Sequence, residues 1–122
     1  MKAVVAGGRD FKDYKLLKCT LDNFQQEYGN ITEVVSGTAI GVDKLGEQYA
    51  NENNIPIKRF VPDWKGLGKK AGHVRNRQMG DYAKEHNGML VAFWGRQSKG
   101  TKGMIDYANK IGLKSVVVVY AN

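Results

Sequence analysis

Five short runs rich in apolar and β-branched residues punctuate the chain: KAVVA (2–6), ITEVV (31–35), IKRFV (57–61), MLVAF (89–93) and SVVVVY (115–120). Each has the length and composition of a β-strand. Between them the period changes. Tyr14, Leu17, Leu21, Phe24 and Tyr28 recur at three- and four-residue intervals, as do Val42, Leu45 and Tyr49. Val74, Met79, Tyr82 and Ala83, then Met104, Ile105, Ala108 and Ile111, continue the pattern. Such spacing gathers side chains on one face of a helix. The order is therefore β-α-β-α-β-α-β-α-β. Parallel strands need crossover connections, and the helices that make them cover both faces of the sheet. The prediction is an α/β, doubly wound, three-layer domain with a five-stranded parallel sheet. Runs such as SVVVVY read as strands buried on both sides. One irregular stretch, VPDWKGLGKKAGH (61–73), holds a proline and three glycines and reads as a long loop before the third helix.

Length and composition narrow the class. At 122 residues and 42% hydrophobic content the chain is expected to form a single domain over 1–122. It has no apolar stretch approaching the roughly 20 residues that span a bilayer, and no signal-peptide pattern at its start, so a soluble, cytoplasmic protein without membrane contact is expected. The one cysteine, Cys19, excludes an internal disulfide and, even with His73 and His86, is too little for a structural zinc site. It falls in a helical pattern, where a packing role is expected. No metal or other cofactor is predicted. The net charge of +7 favours anionic partners. Of the arginines, Arg9, Arg75, Arg77 and Arg96 lie in or beside glycine-containing segments, while Arg59 lies in a strand. A guanidinium can grip a phosphate through two parallel hydrogen bonds.

In an open parallel sheet, ligands bind beyond the carboxyl ends of the strands, near the point where strand order reverses. The segments that follow the strands are thus the candidates. GGRDF (7–11) offers Gly7 and Gly8 for close backbone approach and Arg9 as a fixed charge, or else a plain turn with Asp10 or Asp13 capping the next helix. SGTAIGVD (36–43) places Ser36, Gly37 and Thr38 at a strand end, with Gly41 opening the second helix, whose N-terminal amides suit an anion. Asp43 either faces the ligand or merely complements the helix dipole. In AGHVRNRQM (71–79), Arg75 sits at the edge of the buried helix face and needs an anionic partner, which is either a ligand or a carboxylate such as Asp43 or Asp81. Asn76 is adjacent and points about 100° away. GRQSKGT (95–101) brings Gly95, Arg96, Gly100 and Thr101 to the start of the last helix, with Thr101 as the expected N-cap.

Taken together, AGGRDF, SGTAIGVD, AGHVRNRQM and GRQSKGT followed by GMIDYA resemble the YspA/YpsA-related branch of the SLOG superfamily. That superfamily has Rossmann-like domains and also includes the LOG phosphoribohydrolases and the DNA-processing protein DprA. The resemblance runs from Ala3 to Val119. It implies a pocket for a nucleotide or nucleotide-derived ligand, such as an ADP-ribose-like molecule, lined by Gly8, Arg9, Ser36, Gly37, Asp43, Arg75, Asn76, Gly100 and Thr101. Two departures stand out. Thr38 replaces the second glycine of the family's SGGA motif. Met104 occupies the position of the catalytic glutamate of LOG enzymes, and Asp106 is rotated away from that face.

Three functions compete. The first is binding of such a ligand, as a sensor, sequestering protein or processing enzyme. The second is N-glycosidic hydrolysis of a nucleoside monophosphate, with Asp43 the only catalytic candidate. The third is nucleic-acid binding through the basic surface, with Trp64 and Trp94 as stacking groups or simply as packing and loop anchors. Phe24 and Tyr28 are either core or part of a surface between copies in a homo-oligomer.

Overall fold

The computed structural model describes residues 1–121. The five strands are β1 (Lys2–Gly7), β2 (Glu33–Ser36), β3 (Ile57–Arg59), β4 (Met89–Gly95) and β5 (Ser115–Tyr120). The helices are α1 (Tyr14–Tyr28), α2 (Val42–Glu52), the single turn α3 (Trp64–Leu67), α4 (Ala71–Glu85) and α5 (Lys99–Ile111). All strand pairs are parallel, in the order β3-β2-β1-β4-β5. The result is the Rossmann-like α/β architecture expected from the alternation of periods.

The strand pleat divides the core. Ala3, Val5, Val34, Val91 and Phe93 point to one face and pack with Leu17, Leu21 and Phe24 of α1 and Val42 and Tyr49 of α2. Val4, Ala6, Val35, Leu90 and Ala92 point to the other and pack with Met79 and Ala83 of α4 and Met104 and Ala108 of α5. Because side chains alternate along a strand, every apolar position of β1 and β4 finds a helix above or below it. Gly46 lets α2 lie close on the sheet, since a Cβ there would stand 2.9 Å from Cγ1 of Val5.

Some expectations are corrected. SVVVVY is an edge strand: Val116, Val118 and Tyr120 pack on the core under α1, but Val117 and Val119 remain 39% and 47% exposed. The stretch 61–73 is largely helical. Asp63 accepts from the amide of Gly66 and caps α3, a 3-10 turn spans Gly68–Lys70, and α4 begins at Ala71, so Gly72 and His73 already belong to it. Cys19 is exposed on α1 and takes no part in packing. Phe24 is core, with Tyr28 beside it at the surface. Among the described residues, no helix is long and apolar enough to cross a membrane.

The split between a two-faced centre and a one-faced edge is testable. Leu90→Ala, fully buried on β4, is expected to lower stability by about 2–5 kcal/mol in urea denaturation, whereas Val117→Thr changes it by less than about 0.5 kcal/mol.

Candidate functional site

Strand order reverses between β1 and β4. Beyond their carboxyl ends lies a cleft of about 400 Å³. Its walls come from the loop after β1, the first turn of α2, one face of α4 and the start of α5.

The loop after β1 is held from three sides. The amide of Gly8 donates to the carbonyl of Phe93 at 3.2 Å, and the carbonyl of Gly8 accepts from the amide of Val42 at 3.2 Å. Tyr120 packs on Gly8 and donates to Oδ1 of Asp10 at 2.7 Å. Gly41 makes this arrangement necessary as well as allowed. Its φ is 84°, and a Cβ there would collide with the carbonyl oxygen of Gly8 and stand 2.7 Å from Cα of Arg9. Only glycine accepts that backbone and that proximity.

Asp43, in the first turn of α2, is 5% exposed. Its Oδ2 accepts from the amide of Ala39 at 3.1 Å. Burial pushes its carboxyl up to about 6, against the pull of the Ala39 amide and the nearby charges of Arg75 and Arg9. Arg75 crosses from α4. Its Nη1 donates to the carbonyl of Gly37 at 2.5 Å and its Nε to Oδ1 of Asn76 at 3.0 Å. A Cβ on Gly37 would stand 2.8 Å from Nη1 of Arg75 and 2.9 Å from Oδ2 of Asp43. The two charges therefore flank one small residue, yet they share no ion pair within 4.0 Å. Desolvation holds the Arg75 guanidinium below its ordinary value. The expected divergence of Arg75 and Asn76 is overcome by the reach of the arginine, and both side chains line the cleft.

At the far wall, the expected N-cap is corrected. Ser98, in extended conformation, caps α5 by accepting from the amide of Thr101 at 3.3 Å. Thr101 lies in the first turn, buried, its hydroxyl 2.9 Å from that of Ser98. Trp94 anchors the loop by donating Nε1 to the carbonyl of Ser98 at 3.2 Å. The amides of Lys99 and Gly100, at the start of the helix, have no partner among the described residues. These orphan donors carry the positive end of the helix dipole.

Of the residues singled out from sequence, Gly7, Gly8, Arg9, Asp43, Arg75, Asn76, Gly100 and Thr101 line the cleft. Gly37 and Thr38 line a neighbouring groove instead, and Gly41 works behind the wall. Gly95 and Arg96 do not line the cleft; Gly95 is buried at the end of β4 and Arg96 points to solvent. Ser36 also turns away. Its hydroxyl donates to Oε2 of Glu47 at 2.6 Å, and Oε1 of that carboxylate accepts from Arg59 at 3.0 Å. Although burial pushes the Glu47 carboxyl up, the hydrogen bonds from Ser36 and Arg59 and the charge of Lys44 hold it below its ordinary value. Met104 forms part of the cleft floor, and Asp106 is on the outside of α5, 2.8 Å from Lys102. Asp10, Gln97 and Ser98 line the cleft without having been singled out. Ser98 carried a signal, since serine three residues before a helical amide is a capping pattern. Among the described residues, no three of His, Cys, Asp and Glu are grouped to hold a metal ion.

Fold and cleft together define a Rossmann-like domain of the SLOG type. Residues 1–66 match the family model described as "YAcAr: YspA, cpYpsA-related SLOG family", and the chain belongs to that family. Membership points to nucleotide-related binding or processing. No curated protein matches the chain. Among solved structures, it is similar to DNA processing protein A (DprA) from Streptococcus pneumoniae, at 18% identity and a TM-score of 0.52. The match covers 96% of this chain and 58% of that one, and it shows a shared fold.

Two outcomes test the construction of the cleft. Gly41→Ala is expected to destabilise the protein by about 1–3 kcal/mol in urea denaturation, because the added Cβ strains the backbone and pushes on Gly8. For Asp43, a native value of about 6 against 3.8 for the free group means that the native state favours the proton. Its contribution is present below 3.8 and is lost as pH rises through about 6. Asp43→Asn should therefore raise stability at pH 7.5 by about 1–3 kcal/mol and change it little at pH 4.

Proposed function

We propose that the cleft binds a nucleotide or nucleotide-derived ligand, such as an ADP-ribose-like molecule, with its phosphate between Arg75 and the start of α5. The observation that carries this reading is the pairing of a desolvated, cleft-lining guanidinium with the orphan amide of Gly100 on the wall of the same cleft. The guanidinium has neutral hydrogen-bond partners but no ion pair, and the amide has no partner, so a phosphate offers a counter-charge to one and an acceptor to the other. Arg9, exposed at the rim, adds a further positive charge. Family membership supports the same class of ligand.

Asp43 gives the site a proton-linked response. An anion near its carboxylate is repelled, and protonation removes the repulsion. ADP-ribose carries a diphosphate that does not titrate near pH 6, so a pH effect on its binding reports the protein. Isothermal titration should show ADP-ribose binding that strengthens several-fold from pH 7.5 to pH 5.5, and Arg75→Met should weaken it at least tenfold. Absence of binding by ADP-ribose and by a panel of mono- and dinucleotides would remove the reading.

One observation favours a second activity. A carboxyl with a value of about 6 facing a phosphate cleft suits a general acid or base near neutral pH. Asp43 would protonate a leaving base, or activate water, in hydrolysis of a nucleoside monophosphate. Release of free base by the wild type and its loss in Asp43→Asn would establish this; no release by the wild type would end it.

A further inference from the structure

Beside the main cleft runs a second groove of about 310 Å³. The two share Arg9, Ala39 and Arg75, so they adjoin along the same two arginines. Their linings differ in kind. The side groove is formed by Thr38 and Ile40 of the loop before α2 and by Val61, Pro62 and Trp64 around the start of α3. No carboxylate lines it, and its only charges are the two shared arginines.

The apolar side chains here are not those of a packed loop. Ile40 is 67% exposed, Val61 71% and Trp64 51%. Three large apolar residues, from two different segments of the chain, thus stand in water around one concavity beside the cleft. The indole lies against α4: a Cβ built on Gly72 would stand 3.7 Å from Cη2 of Trp64 and 4.0 Å from Nη2 of Arg75. Trp64 and Arg75 consequently flank the same spot on the helix. A flat, uncharged ring sliding out of the cleft past Arg75 would meet the indole face, with aliphatic groups of Ile40 and Val61 around it. Thr38 carries the one uncharged polar side chain on the lining.

We propose that this groove is a subsite for a planar aromatic heterocycle, the base of a nucleotide whose phosphate occupies the main cleft. The proposal rests on the phosphate reading above and adds which end of the ligand goes where. Any aromatic base gains from stacking on tryptophan, whereas a sugar phosphate lacks the flat ring that would cover the indole face. Purines, with the larger ring system, therefore bind more tightly than pyrimidines.

The decisive comparison uses AMP and ribose 5-phosphate, which differ by the base alone, titrated calorimetrically against the wild type, Trp64→Ala and Trp64→Phe. The expected result is that AMP binds the wild type about 5- to 100-fold more tightly than ribose 5-phosphate. Trp64→Ala should erase most of that difference while leaving ribose 5-phosphate within about twofold, and Trp64→Phe should restore much of it. AMP should also quench indole emission in the wild type but not in Trp64→Ala, where Trp94 remains as an internal control. Equal binding of the two ligands, or an AMP affinity untouched by Trp64→Ala, overturns the base subsite and leaves the phosphate reading standing. Binding of neither ligand overturns both.

Discussion

The close approach of Gly41 to the carbonyl of Gly8 is the constraint on which the cleft depends. It lets the first turn of α2 press against the loop after β1, so that the Val42 amide reaches Gly8 and Asp43 follows one residue later at the cleft wall. From Asp43 the arrangement propagates outward: its carboxylate holds the Ala39 amide, and Gly37 leaves room for the Arg75 guanidinium beside it. A side chain at position 41 would separate these pieces by the width of a methyl group, and no hydrogen bond among them would span that gap. The fold supplies the sheet edge; the missing Cβ supplies the site.

The charges of the protein are not distributed evenly between satisfied and unsatisfied states. Glu47 has Ser36 and Arg59, and Glu33 has Lys2 and Tyr82. No buried side-chain nitrogen or oxygen among the described residues lacks a partner. Among the described residues, only at the cleft do a carboxyl and a guanidinium both lie away from their ordinary values while standing near one another without an ion pair. Such concentration of electrostatic tension is characteristic of places where something else binds. Thr38, in the adjoining groove, adds backbone strain, with a φ of 69° that a β-branched residue rarely adopts.

Much of this was legible in the sequence because alternation of period is a strong signal for a parallel sheet, and because the sheet places its ligands by a positional rule. Position alone left Asp43 between the ligand and the helix dipole and Arg75 between a ligand and a carboxylate; the family resemblance favoured the ligand for both, and both line the cleft. The failures have physical causes. SVVVVY has valine on both faces, so nothing in its pattern marks Val117 and Val119 as facing water at an edge. Ser98 and Thr101 are both good caps, and the choice between them lies in the extended backbone at Ser98, which no residue type dictates. Arg96 follows the right strand, but the turn directs Gln97 and Ser98, not Arg96, towards the cleft. Glycine and proline in 61–73 hid a helical turn whose cap, Asp63, was present all along.

The bond from Tyr120 to Asp10 joins residues 110 positions apart. The loop after the first strand therefore receives its last support from the final strand, and β1 itself is sandwiched by β4, whose residues come more than eighty positions later. A chain emerging from the ribosome makes its N-terminal glycines and arginine early but has no frame to hold them until nearly all of it is available. High contact order of this kind slows folding, since loop closure precedes the contacts that reward it. It also makes the cleft a late property: a truncated chain that had formed β1, α1 and α2 would carry Arg9 and Asp43 but lack the opposite wall, with Arg75, Asn76, Gly100 and Thr101 still to come.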